Sequence, residues 1–203
     1  MSRMALWVLP FLALLASACA DPVLVKPERC TVQGTYHVEP QITWTRVAGR
    51  WGDSEDNEVW TVDGARLESI LFTRALADGD PLFHESASKK DLEKLPVYRE
   101  YMSELEIMDL VTQSLTRIGA AQVDARNLRP AVFGGSPGFR FELEYVSEDG
   151  LEYAGLVKGA VLDRQLYLIV YRGTALHYYA KYLPHVEGLL DSIALSAPDV
   201  AAR

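Results

Sequence analysis

The sequence has little of what most chemistry needs. Only two cysteines, Cys19 and Cys30, occur in 203 residues, which excludes a disulfide framework and any four-cysteine metal site. Its four histidines, His37, His84, His177 and His185, form neither H-x-x-x-H nor H-E-x-x-H, and none stands at a zinc-ligand spacing from Cys30. There is no P-loop and no G-x-G-x-x-G. No cofactor or metal is expected. Clustered positive charge is missing too: the longest basic run is Lys89-Lys90 and the net charge is −8. Phosphate backbones are bound by clustered Lys and Arg, so no nucleic-acid partner is expected. The apolar run Ala5 to Ala16 has twelve residues, too few for the roughly 20 that a membrane-spanning helix needs.

That run does have a use. With Arg3 before it and small residues after it, it reads as a signal peptide. Leu15-Ala16-Ser17-Ala18-Cys19 resembles a bacterial lipoprotein box, with Ala16 at the position where Leu is commonest and Leu15 one place earlier. The resemblance implies that Cys19 is lipidated and becomes the mature N-terminus, a membrane anchor for the rest of the chain. Ala20, where Asp would favour inner-membrane retention, implies sorting to the outer membrane, facing the periplasm. Ordinary cleavage after Ala18 or Ala20 also fits a small-x-small pattern and would give a soluble periplasmic or secreted protein. A Cys19–Cys30 disulfide is open only if Cys19 escapes lipidation and survives cleavage. The expected organisation is a signal peptide over residues 1–18, an anchor and tether over 19–33, one domain over 34–195 and a loose tail over 196–203.

The clearest structural writing lies between Phe139 and Arg172. Phe139, Phe141, Leu143 and Tyr145 alternate with Arg140, Glu142 and Glu144, the period of a strand with one buried face. Ser147 to Gly150 supplies a turn. Leu151 to Leu162 is again strand-like, Asp163 to Gln165 breaks it, and Leu166 to Tyr171 is apolar on both faces. A strand of that last kind sits inside a sheet, covered on both sides. An antiparallel meander is predicted.

Upstream, strands are expected at Tyr36–Val38, Ile42–Val47, Glu58–Val62 and within Ala65–Leu76, with Asp63-Gly64 as a turn. Ser103 and Glu106 make an S-x-x-E capping box, with Met102 and Ile107 as its staple. The helix that follows carries a stripe of Leu105, Met108, Val111, Leu115 and Ile118, and Gly119 stops it. Ala121–Ala125 and Arg129–Phe133 read as two short strands, and Gly134 to Gly138 as a loop. A last helix is expected from Ala175 to Asp191, capped by Thr174 and kinked or split at Pro184.

This order, with Gly138-Phe139-Arg140, Asp149-Gly150-Leu151-Glu152-Tyr153, Leu166 to Tyr171 and the Tyr178-Tyr179 helix, resembles the Mog1/PsbP-like group over about half of the chain. The resemblance implies an α+β fold, an antiparallel sheet flanked by helices in an α-β-α sandwich. Members include photosystem accessory proteins, a nuclear-transport regulator and bacterial lipoproteins. The group shares no catalytic residues, so the resemblance implies no enzyme and carries none over.

Three motifs invite a chemical reading. Gly134-Gly135-Ser136-Pro137-Gly138 matches G-x-S-x-G, yet the residue after the serine must donate its N–H to an oxyanion, and Pro137 has none. Asp53, Glu55, Asp56 and Glu58 form an acidic loop, but Glu58 and Gly64 stand where a calcium loop needs Gly and Glu. On the last helix Leu176, Tyr179, Leu183, Val186 and Leu190 make one stripe and Tyr178, Tyr182, His185 and Leu189 a second, about 100° away. A surface helix needs only one. Either both are core, covered by N-terminal segments, or Tyr178, Tyr182, His185 and Leu189 form a partner or ligand surface. Tyr179 and Leu183 are expected in the core, with Tyr178 and Tyr182 at its edge. The expected role is a non-catalytic envelope lipoprotein domain that supports an assembly or binds a protein partner. The alternative is a carrier holding a small apolar ligand in a cavity lined by Tyr167, Ile169 and Tyr171; hydrolysis is disfavoured.

Overall fold

The computed structural model describes residues 23–47, 57–83 and 95–195. Cys19, Asp53, Glu55, Asp56, His84 and the tail 196–203 lie outside them. The elements are β1 (Val23–Val25), β2 (Cys30–Val32), β3 (Tyr36–Val38), β4 (Trp44–Val47), β5 (Glu58–Thr61), β6 (Glu68–Phe72), α1 (Glu104–Arg117), β7 (Ala121–Phe133), β8 (Ser136–Val146), β9 (Glu152–Leu162), β10 (Gln165–Thr174), α2 (Tyr178–Asp191) and β11 (Ala194–Leu195). An eight-stranded antiparallel sheet runs β1-β4-β5-β6-β10-β9-β8-β7, and a small sheet runs β11-β3-β2.

The predicted meander is β8, β9 and β10, and β10 lies inside the sheet between β9 and β6. Phe139, Phe141, Leu143 and Tyr145 face one core, shared with Ile107, Leu110, Val111 and Leu115 of α1. Ile169, Tyr171, Leu156 and Ala160 face the other, shared with α2 and with Val32, Tyr36 and Val38 of the small sheet. The sheet is thus covered on both sides, and the chain is an α-β-α sandwich.

Several expectations need correction. Residues 19–33 are not simply tether: β1 pairs with β4 and β2 with β3. At the expected end of the domain Ala194 and Leu195 add a strand, pairing with His37 and Tyr36. Ala121–Phe133 is one strand, not two; register shifts break its ladder, and Gln122 and Asn127 take φ of 52° and 58°. The glycine loop is only a Gly134-Gly135 turn, and Ser136 to Gly138 already belong to β8. α1 has both halves of its capping box, but its buried face is rotated. Leu105 is exposed, while Ile107, Leu110 and Ser114 are buried. The Ser114 hydroxyl donates to the Leu110 carbonyl at 2.6 Å, which lets a polar residue sit in the core. α2 begins at Tyr178; His177 is its N-cap without a side-chain bond, and Thr174 ends β10. The helix runs through Pro184 to Asp191 unsplit.

Candidate interaction surfaces

The face of α2 settles the two-stripe question locally. Tyr182 is 6% exposed, Leu189 is fully buried, and Tyr178 and His185 are half-buried. The aromatic surface expected from Tyr178, Tyr182, His185 and Leu189 is therefore not a free one. It faces Trp44 and the small sheet. Tyr179 and Leu183, expected in the core, are only half-buried.

Close contacts hold the start of α2 down. The Tyr171 hydroxyl donates to the carbonyls of Tyr178 at 3.1 Å and Tyr179 at 3.0 Å, and the Tyr171 and Tyr179 rings stack at 5.4 Å. Burial pushes the Tyr179 phenol up to about 12, with the Glu142 carboxylate adding to the effect. Gly173 is glycine because a Cβ there would stand 2.6 Å from the Tyr179 amide nitrogen. The Tyr182 hydroxyl donates to Asp63 Oδ2 at 2.6 Å, and Lys181 Nζ donates to the same oxygen at 2.7 Å. These two donors, Lys181 first, lower the Asp63 pKa.

Asp63 is itself placed by Glu68. Glu68 is fully buried. Its Oε1 accepts from the Thr61 hydroxyl at 2.7 Å and from the amides of Val62 and Asp63 at 2.6 and 2.8 Å. Its other oxygen makes no hydrogen bond. Burial therefore outweighs the three donors and raises its pKa.

Two buried cations went unnoticed in the sequence. Lys158 Nζ donates to the Leu190 carbonyl at 3.0 Å and Asp191 Oδ1 at 3.2 Å, closing the C-terminus of α2. Arg172 donates to Ser69 Oγ, Tyr145 Oη and the Ala65 carbonyl at 3.2, 3.2 and 3.0 Å, and lies 5.0 Å over the Tyr153 ring. The signal for both was a lone cation inside or ending an apolar strand run. Both act as braces between elements.

The other sequence candidates are scattered. Ser136 pairs with Phe133 across the hairpin. His37 shares a 3.0 Å hydrogen bond with Thr31, and His177 packs edge-on against Tyr178. Glu58 accepts from Trp60 Nε1 and pairs with Arg46, both at 2.6 Å. Cys30 is a free, half-buried thiol with a pKa raised chiefly by burial, the opposite of a reactive thiolate. Among the described residues no group of three or more His, Cys, Asp or Glu could hold a metal. Ile169 and Tyr171, expected to line a ligand cavity, are fully buried in the core. An open groove of about 510 Å³ lies instead outside α1, between Leu95 and Pro96, Thr112, Thr116 and Arg117 of the helix, and Val123 of β7.

No protein-family profile matches the chain, and no curated protein does. Among solved structures, cyanobacterial PsbP (CyanoP) from Synechocystis sp. PCC 6803 aligns with a TM-score of 0.51 at 13% identity, over 89% of this chain and 96% of that one. The fold is PsbP-like. A Bacteroides thetaiotaomicron protein aligns at TM-score 0.47 and 7% identity, over 86% of this chain and 50% of its own. LpqN, involved in cell envelope biogenesis of Mycobacterium tuberculosis, aligns at 0.37 and 7%, over 90% of this chain and 88% of its own. Neither of these two aligns closely enough to bear on the fold or the role. Within the PsbP-like fold, no described helix is long and apolar enough to cross a membrane.

Proposed function

We propose that the chain is a non-catalytic domain of the bacterial envelope, anchored by lipid at Cys19 in the outer membrane and binding a protein partner from the periplasmic side. The observation that carries this reading is the PsbP-like fold, shared over nearly the whole of cyanobacterial PsbP. The described polar groups support it. Asp63, Glu68, Lys158 and Arg172 are each spent on bracing one element against another. The lipoprotein-like stretch Ala16-Ser17-Ala18-Cys19 supplies the address. Because the α2 face is buried, the surface proposed for the partner is the groove between α1 and β7, beside the open edge of the large sheet.

The test is capture of the native protein from solubilised membranes, with partners identified by mass spectrometry, beside a Thr116→Arg variant that fills the groove. Thr116 is exposed on α1, so the variant is expected to melt like wild type and lose the partner. A partner retained by the variant would move the surface elsewhere. Labelling of Ser136 by a fluorophosphonate probe would overturn the non-catalytic reading.

A further inference from the structure

We infer that the β1 edge of the large sheet docks on the lipid headgroups, so that the sheet stands edge-on to the bilayer with β7 pointing away. This rests on the proposed anchor at Cys19. Only residues 20–22 separate Cys19 from β1. An extended chain spans at most about 3.3–3.6 Å per residue, so Val23 lies within about 14 Å of an anchored Cys19 whatever path the three residues take. A long tether would let the domain drift; the pairing of β1 with β4 leaves no long tether.

The side chains nearest the anchor suit that surface. Val23 is 53% and Leu24 65% exposed, whereas Val25 is 7% exposed and belongs to the core. Exposed aliphatics also occur at Leu105, Val132, Leu151 and Leu176, but those of β1 are the nearest to the proposed anchor along the chain. Next along the chain come exposed Lys26, Glu28 and Arg29; with Asp21 before the strand, the stretch from the anchor to Arg29 is balanced in charge, while the whole chain carries −8. Basic side chains beside an apolar edge favour an anionic headgroup layer. β7 is the opposite edge of the eight strands. At about 4.8 Å between neighbours, seven steps put it about 34 Å from β1 along the sheet, which carries the α1–β7 groove out into the aqueous space.

The test places an environment-sensitive NBD fluorophore on the full lipidated chain, reconstituted in phosphatidylethanolamine/phosphatidylglycerol vesicles containing a lipid with a shallow nitroxide quencher. Cys30→Ser removes the native thiol; Leu24→Cys and Val132→Cys carry the label, with Val23→Cys as a second β1 reporter should Leu24→Cys melt low. The β1 labels are expected to shift to the blue and lose at least half their emission, and the Val132 label to do neither. Unquenched β1 labels on protein whose intact mass includes the acyl chains would overturn docking and leave the anchor standing. Quenching at Val132 as strong as at Leu24 would overturn the edge-on orientation. An intact mass without acyl chains would remove the anchor and the docking with it.

Discussion

The two helices have the same length, 14 residues each, and are held by opposite means. α1 is specified by its neighbours in sequence. Ser103 and Glu106 cap each other's backbone, Glu104 and Glu106 stand in the first turn, Arg117 in the last, and Gly119 with φ of 95° ends it. α2 has none of this. Its N-cap makes no side-chain bond, its first and last turns carry no charge suited to the dipole, and it contains Pro184. It is a helix because the sheet holds it: Tyr171 and Asp63 at its start, Arg140 on Glu187 at 3.1 Å, and Lys158 under its end. A helix can thus be fixed by local signals or by tertiary contacts, and only the first kind is visible in a sequence.

The largest expected effect comes from removing the tertiary hold. Tyr182 is buried against Trp44, with ring centroids 6.1 Å apart, and its hydroxyl is bonded to Asp63. Tyr182→Ala is expected to cost about 3–5 kcal/mol, as large aromatic truncations do. Leu183→Ala, at a half-buried position, is expected to cost about 1–2 kcal/mol, since less apolar area leaves the interior. Thermal melts of the two variants decide the order. Equal losses would mean that α2 is not held through its Tyr182 face.

The same distinction explains what the sequence disclosed. The meander was legible because Phe139 to Tyr145 alternates along a single strand, and α1 because its capping box is a four-residue signal. β1, β2 and β11 were not legible. Each is two or three residues long, too short for periodicity to report, and β1 and β11 exist only by pairing with strands distant in sequence. Without them α2 stayed ambiguous: with no small sheet to cover it, the second apolar stripe fitted either a core or a surface. The two cores needed the whole topology, because Arg172 and Lys158 are ordinary cations until the strands around them are placed. Cys19 remains a matter of sequence alone, outside the described residues.

A smaller effect is expected from the far end of α2. Lys158→Met keeps the bulk of the side chain and removes the donor to the Leu190 carbonyl. Leaving that carbonyl unbonded costs about 1–3 kcal/mol; sparing the lysine its desolvation returns part of this, so a net loss of about 1 kcal/mol is expected. Asp191, the other partner, is largely in water and is not stranded. Hydrogen exchange localises the effect. The last-turn amides of α2 are expected to lose protection while those of α1 keep theirs. Equal loss in both helices would show that Lys158 supports the whole domain and not one helix end.

The smallest effect separates the two kinds of hold by the sign of their pH dependence. At α1, the Glu106 carboxylate accepts from the Ser103 amide and hydroxyl, both at 2.7 Å, and its pKa is held below the ordinary 4.5 by these bonds, the backbone bond first. Its contribution is complete above that ordinary value and is lost as pH falls through the lowered one. Near α2, burial raises Glu68 above the ordinary 4.5, so its contribution is complete below that value and is lost as pH rises through the raised one. Glutamine at either position retains an acceptor oxygen and cannot ionise. Glu106→Gln should therefore gain on wild type only as pH drops below about 4.5. Glu68→Gln carries a constant offset, because its amide group must replace a buried oxygen that has no hydrogen bond. Its slope is the informative quantity: relative to wild type it should gain as pH rises from about 4.5 toward neutrality. Melts of the three proteins from pH 3 to pH 8 measure both slopes. Slopes of the same sign would mean that Glu68 is stabilised as a carboxylate by its three donors more than burial penalises it, and the loop that presents Asp63 to α2 would then be held by charge, as the cap of α1 is.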